Sequence, residues 1–404
     1  MNLNGISRWS AAAAILVLFI LAVPASAAGS WETEAVSTFD PEPIAADISG
    51  SHVVYSVAYG KAMNLSAPRG LLLYDADTGT TVSLANASGK MTLTGGQTAG
   101  DAVVWFEEPE AMLSNTTGLN NSIMLFSPAS GITTAIRSSP SAEWPKTDGS
   151  RIVWSETPGD TYISFLSLYD IAKKTTEDLR VHPMDGSSVV LEGDTIAFRD
   201  ANTSVLTLYD IPSQTDTAVM VPVHTNATDT MVDAYAMGGD VLLYTSRILE
   251  LSPKRSISTV LTWYSIASQT NVTLSPITGL PVENLTADER NAAFGSLFTD
   301  GKTIGWVLET GISESDVITV NAETGSVSHL KIDGDVAFPA VDGDRAVWVQ
   351  SKMMADSHVV LATWQEPASA KDPATPVPET TAAPGFGVLC AAGALAVAAC
   401  GRKR

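Results

Sequence analysis

The chain has 404 residues, with 44 acidic against 23 basic side chains and a formal net charge of −21. That balance, spread without long runs, excludes nucleic acid and anionic membrane surfaces as electrostatic partners. The two cysteines, Cys390 and Cys400, both lie near the end of the chain, so the body before them has no disulfide or thiol chemistry and rests on packing alone.

In chain order, Arg8 precedes an apolar stretch from Ala11 to Val23, and Ala25-Ser26-Ala27 supplies a small-x-small cleavage pattern. Residues 1–27 read as a signal peptide for export, with a retained N-terminal anchor as the alternative. The stretch is short for a spanning helix. Between the two terminal segments remain roughly 355 residues, more than a single compact core holds unless the architecture repeats.

A repeat is present. A turn glycine, two residues, two mostly apolar residues and an aromatic recur seven times. The copies run Gly50 to Tyr55, Gly100 to Trp105, Gly149 to Trp154, Gly193 to Phe198, Gly239 to Tyr244, Gly301 to Trp306 and Gly343 to Trp348. The aromatics are spaced by 50, 49, 44, 46, 62 and 42 residues. Glycine beside Asp, Ser or Gly predicts a tight reversal, because glycine accepts positive φ without steric cost. The apolar-aromatic run after it predicts a strand buried on both faces.

A second strand follows in each unit, as in Leu71-Leu72-Leu73-Tyr74-Asp75, Leu166-Ser167-Leu168-Tyr169-Asp170 and Leu206-Thr207-Leu208-Tyr209-Asp210. A third alternating run comes next, such as Thr80 to Leu84, Thr175 to Leu179 or Ser326 to Leu330. With the strand entering each glycine turn, every unit has four strands, the make-up of a propeller blade. No sustained helical period appears beyond one short turn at Ala287 to Ala293. The expected fold is all-β: a seven-bladed β-propeller over residues 28–365. Its last unit lacks an outer strand, and Glu32 to Phe39 reads as the N-terminal strand that closes it. An array of sandwich domains is the alternative, but such domains need nearer ~100 residues each.

Residues 366–383 interleave Pro367, Pro373, Pro376 and Pro378 with threonines, a composition that cannot join a sheet and reads as a stalk. The chain ends with Pro384-Gly385-Phe386, an apolar run from Gly387 to Gly401 and Arg402-Lys403-Arg404. Fifteen apolar residues span about 22 Å as a helix, short of a permanent span. The basic end is of the kind kept on the cytoplasmic side.

Two resemblances follow from these motifs. Residues 384–404 resemble the archaeal PGF-CTERM tail. The resemblance implies processing by signal peptidase and an archaeosortase, with attachment of the product to a membrane lipid and Pro384, Gly385 and Phe386 as the sorting signal. A plain C-terminal membrane anchor gives the same location. Residues 32–364 resemble the TolB-like propeller repeats of exported prokaryotic proteins through Gly-x-x-apolar-apolar-aromatic followed by Leu-Tyr-Asp.

No catalytic constellation stands out. His52, His182, His224, His329 and His358 have no metal-pair spacing, and there is no Gly-x-Ser-x-Gly elbow or phosphate-cradling loop. Asp333/Asp335 and Asp342/Asp344 flank glycines and read as turn chemistry before calcium. Thr299-Asp300-Gly301-Lys302-Thr303 resembles the sialidase Asp-box, with altered spacing. No cofactor or metal site is assigned. Sequons at Asn64, Asn86, Asn115, Asn120, Asn202, Asn226, Asn271 and Asn284 are glycosylation candidates in an exported chain.

The candidate binding surface is the face shared by the inter-blade links and the loops Val57 to Arg69, Glu107 to Asn121 and Thr245 to Ser258, with an insertion at Pro276 to Gly295. The expectation is a non-enzymatic, glycosylated, membrane-anchored cell-surface propeller that meets a surface glycan or protein as an interaction or envelope module. The alternative is an extracellular carbohydrate-active enzyme or polysaccharide binder.

Overall fold

The computed structural model describes residues 30–37, 42–59, 69–86, 91–109, 120–157, 164–221, 227–250, 256–352 and 356–365. The chain divides into two units, residues 1–367 and 368–404. The second lies wholly outside the described residues, as do the signal segment, the stalk, and Pro384, Gly385 and Phe386. Among the described residues no helix is long and apolar enough to cross a membrane.

The first unit is the expected seven-bladed propeller. Strand β1 (Ser30–Ala35) is held for the last blade. Blade 1 holds β2 (Glu42–Ser49), β3 (His52–Ala58), β4 (Arg69–Asp75) and β5 (Thr80–Asn86). Blade 2 holds β6 (Met91–Ala99), β7 (Ala102–Pro109), β8 (Asn121–Ser127) and β9 (Ile132–Ser139). Blade 3 holds β10 (Ala142–Thr147), β11 (Arg151–Glu156), β12 (Ser164–Asp170) and the start of β13 (Thr175–Glu192). The end of β13 is the inner strand of blade 4, completed by β14 (Thr195–Asp200), β15 (Leu206–Asp210) and β16 (Thr215–Ala218). Because β13 serves two blades, these join into one seven-stranded sheet.

Blade 5 holds β17 (Ala227–Gly238), β18 (Val241–Glu250), β19 (Ser256–Ser265) and β20 (Thr270–Leu274). The short helix α1 (Ala287–Arg290) sits in the following link, its start capped reciprocally by Thr286 and Glu289. Blade 6 holds β21 (Ala293–Thr299), β22 (Thr303–Gly311), β23 (Glu314–Asn321) and β24 (Val327–Ile332). Blade 7 holds β25 (Asp335–Asp342), β26 (Arg345–Lys352) and β27 (Asp356–Gln365), with β1 as its outer strand.

Ring closure is two-ended, and shorter than the sequence reading of Glu32 to Phe39. β1 pairs antiparallel with β27 from Ser30↔Gln365 to Ala35↔Val360. Trp31 meets Trp364 edge-on at 5.3 Å, and its indole N–H donates to Thr319 Oγ1 in blade 6 at 3.3 Å.

The apolar core is divided rather than single. Seven buried clusters occupy the seven gaps between neighbouring blades. The repeat aromatic has one job throughout: Tyr55, Trp105, Trp154, Phe198, Tyr244, Trp306 and Trp348 are all buried and pack against the preceding blade. At roughly 25 cal/mol per Å² of apolar surface, each such ring is a main stabiliser of its gap. The gap between blades 7 and 1 is as apolar as the rest, with Val53, Tyr55 and Val57 against Val347, Val359 and Leu361.

The second motif also has a structural meaning. Asp75, Asp170 and Asp210 end the third strands and accept backbone N–H groups of the next turn, as Asp75 Oδ1 does from Asp77 at 2.9 Å. Asn321 does the same at 3.0 Å. Where serine stands there, at Ser127 and Ser265, Asp101 and Asp240 of the adjoining glycine turn supply the carboxylate, to Ala129 N and Ala267 N.

Candidate functional site

The inner strands surround a central channel. A cavity of about 530 Å³ is lined by residues of all seven, from Asp47 and Gln97 through Lys146, Glu192 and Tyr235 to Asp300 and Asp342. Each inner strand also carries a register shift against its neighbour, from Pro43/Ala45 in blade 1 to Ala337/Ala340 in blade 7. Bulges re-aim side chains and interrupt pairing. Two of them hold aromatic residues in left-handed backbone, Trp144 at φ 54° and Phe338 at φ 50°. Both rings are partly exposed, Trp144 resting edge-on against Phe106 and Phe338 lining the channel.

One end of the channel, called the lower face here, is ringed by the glycine turns. All seven glycines have φ between +50° and +90°. Consecutive turns are joined in two ways. In four gaps a side chain just before one glycine accepts the N–H of the next: Gly100 to Ser49 Oγ at 3.0 Å, Gly239 to Glu192 Oε1 at 3.3 Å, Gly343 to Asp300 Oδ2 at 2.8 Å and Gly50 to Asp342 Oδ2 at 2.6 Å. The last of these joins blade 7 to blade 1.

In two gaps the residue before the glycine is small, Ala99 or Gly238, and the following turn comes in against its backbone. A Cβ at Gly149 would lie 2.8 Å from Ala99 O, and one at Gly301 would lie 2.7 Å from Gly238 O. These turns share a motif, with Thr147 and Thr299 accepting from the glycine N–H and Asp148 and Asp300 accepting the next two N–H groups. The segment resembling an Asp-box is therefore a turn brace. Arg151 reaches Gly193 O and Asp194, and Arg345 reaches Gly50 O and Asp77, so cations bridge neighbouring blades as well.

Electrostatics distinguish the channel from the ordinary surface. Asp47 accepts the Thr98 N–H at 2.8 Å, and burial pushes its carboxyl up to about 6 despite that bond and the charge of Lys146. Burial lowers the Lys146 ammonium below the usual lysine range. Glu192 is raised first by burial and then by Asp148, Asp300 and Asp342, so these carboxylates share one mouth. The Tyr235 phenol is raised by burial.

The opposite, upper face carries the second-to-third-strand connections and the inter-blade links. Of the loops expected to form the binding surface, residues 60–68, 110–119 and 251–255 lie outside the described residues. Tyr59 and Ile257, beside the first and last of these, are exposed, as is Ile312 in the corresponding connection of blade 6, at 94%. The insertion is pinned by Ser275, whose hydroxyl donates to Glu289, and by Trp306, whose indole donates to Pro276 O at 2.9 Å.

The remaining candidates are separated. Asp333 pairs with Lys352, and Asp342 serves the Gly50 turn. His329 contacts the buried Asp316 at 3.1 Å. Among the described residues no group of His, Cys, Asp or Glu is set to hold a metal ion. His224 is outside the described residues.

Asn86, Asn120, Asn202, Asn271 and Asn284 are exposed; Asn64, Asn115 and Asn226 lie outside the described residues. Asn271 is committed structurally. It accepts from the buried Tyr244 hydroxyl at 2.9 Å and donates to Met220 O at 2.7 Å. Sequence reasoning missed Asp47 and Lys146, whose only shared signal is standing three residues before their turn glycines.

No family model matches this chain, and no curated protein matches it in sequence. Solved structures do match in fold. The β-propeller domain of the trilobed protease from Pyrococcus furiosus aligns over 84% of this chain and 99% of its own, with TM-score 0.57 and 8% identity. An oligogalacturonate lyase solved with manganese aligns over 84% and 97%, at 0.52 and 13%. An acylaminoacyl peptidase from Pyrococcus horikoshii aligns over 80% of this chain and 51% of its own, at 0.54 and 9%. At such identities the likeness is one of fold.

The resemblance to TolB-like repeats is thereby supported to the level of a seven-bladed propeller. The expectation of a non-enzyme is corrected: structures of this fold include a lyase and peptidases. Neither the propeller nor the lack of a hydrolase elbow argues against catalysis.

Proposed function

We propose that this chain is an exported, glycosylated β-propeller, tethered at the membrane through its C-terminus, whose upper face holds a glycan or protein of the cell envelope. The observation that carries this reading is the asymmetry of the two faces. The lower face is a ring of capped turns joined by inter-blade bridges, whereas exposed Tyr59, Ile257 and Ile312 stand at the upper face. Both described ends, Ser30 and Gln365, are paired at the lower face, where Trp364 N also donates to Asp344 O at 2.7 Å. A stalk leaving Gln365 would turn the apolar face outward, toward partners.

The terminal segments, the sequons and the PGF-CTERM resemblance support the location and the archaeal origin. The test is retention of purified protein on isolated cell envelopes, with Ile257→Asp and Ile312→Asp as variants. Wild type is expected to be retained, and the double variant at least ten-fold less at equal melting temperature. Equal retention would reject the upper face as the contact surface. A glycan-directed enzyme is the second reading, favoured by the lyase among the fold neighbours and by the polar channel.

A further inference from the structure

Two opposite charges face the channel interior without touching. Asp47 and Lys146 each stand three residues before their turn glycine, in blades 1 and 3, with Gln97 of blade 2 between them in the ring. The backbone of Lys146 pairs with Val153, but its ammonium makes no hydrogen bond or ion pair with any described residue. Asp47 is oriented by backbone N–H groups of Thr98 and Ile48, which fix the carboxylate without supplying a full counter-charge. Val190, Ala236 and Ala340 hold the corresponding positions in blades 4, 5 and 7, so the wall across from the pair is apolar. The cavity, about 530 Å³, is within the size range of small-molecule sites, and its few polar groups converge from different blades.

Charge arithmetic selects the occupant. Five carboxylates line this channel against one lysine, so a simple anion adds to an existing excess of its own sign. A simple cation that reaches Asp47 meets Lys146. A molecule carrying both signs leaves the net charge of the channel unchanged and offers an anion to Lys146 and a cation to Asp47 at once. We propose that the channel binds a small zwitterion, an α-amino acid or dipeptide. Its carboxylate lies on Lys146, its ammonium on Asp47 and its side chain against Val190, Ala236 and Ala340. The site is separate from the upper-face contact surface and does not depend on export or tethering. Burial supports the assignment, since water solvates neither charge fully.

Titration calorimetry of the purified protein with L-leucine and glycyl-L-leucine, beside N-acetyl-L-leucine and L-leucinamide, tests this. The two zwitterions are expected to bind, and each capped form at least ten-fold more weakly, because each lacks one of the two charges. Lys146→Met and Asp47→Asn, confirmed folded by their melting curves, are each expected to weaken binding of leucine at least ten-fold. No heat from either zwitterion, or capped forms binding as tightly as leucine, would overturn the proposal. The comparison among ligands is made on wild type and stands whether or not the variants fold.

Discussion

Gly149 and Gly193 show what the repeat glycine does at the scale of one residue. Both have positive φ, at 87° and 50°, yet a Cβ at Gly149 would strike Ala99 O, while one at Gly193 would meet open space. Gly193→Ala should therefore cost about 1 kcal/mol, for left-handed backbone alone. Gly149→Ala should cost about 2–4 kcal/mol, because the turn must also move off its neighbour. Urea unfolding of the two variants measures the difference, and equal losses would remove close approach as the explanation.

Asp47 gives a pH dependence. Its folded pKa of about 6 lies above the ordinary carboxyl value of 3.8, so the folded state holds this proton more tightly. The stability it contributes is fully present below pH 4 and is lost as pH rises through 6. Asp47→Asn should thus gain in melting temperature relative to wild type between pH 4 and 7, by an amount equivalent to at most ~3 kcal/mol, since water in the channel screens part of the effect. A difference that stays flat across that window would contradict the burial of this carboxylate.

At the scale of the element, β1 is the piece on which closure turns. It adds six residue pairs to the free edge of β27 and brings Trp31 onto Trp364 and Thr319. Removing Ser30–Ala35 should expose that edge and uncover Trp364, giving faster proteolysis and a lower unfolding midpoint. Undiminished protease resistance would mean that the apolar gap between blades 7 and 1 closes the ring unaided.

These elements were legible to different degrees. The seven glycine turns and aromatics could be read because each is a local rule repeated: a reversal needs positive φ, and a buried gap needs a large ring. The strand shared by blades 3 and 4 could not, because Thr175–Glu192 contains a turn-like Asp185-Gly186 that the chain carries through as strand. The bulges were equally hidden. Gly95, Trp144 and Phe338 perform the same bend with unrelated side chains, so no residue type announces it. The Asp47 and Lys146 pair is set by the curvature of the ring, which brings together strands 99 residues apart. Even the Leu-Tyr-Asp motif changed meaning, from a family mark to the cap of a turn.

At the scale of the whole molecule, seven separate cores replace one. Each blade is held by two neighbours, so a defect in one gap is shared around a closed circle instead of exposing an end. The bridges on the lower face follow the same circle, and Asp342 with Arg345 completes it across the seam where the chain's two ends meet. The same layout leaves the upper connections free to vary in length, and the 62-residue interval with its insertion falls there.

The seam also sets how the ring bears mechanical load. Gln365 ends β27, which is hydrogen-bonded on both flanks, by β26 and by β1. Traction on Gln365, directed away from the lower face, runs along that strand and loads both rows of backbone bonds in shear at once. Traction on Ser30 would meet a single row. The terminus followed by the proline-rich segment is thus the stronger of the two from which to hang the ring.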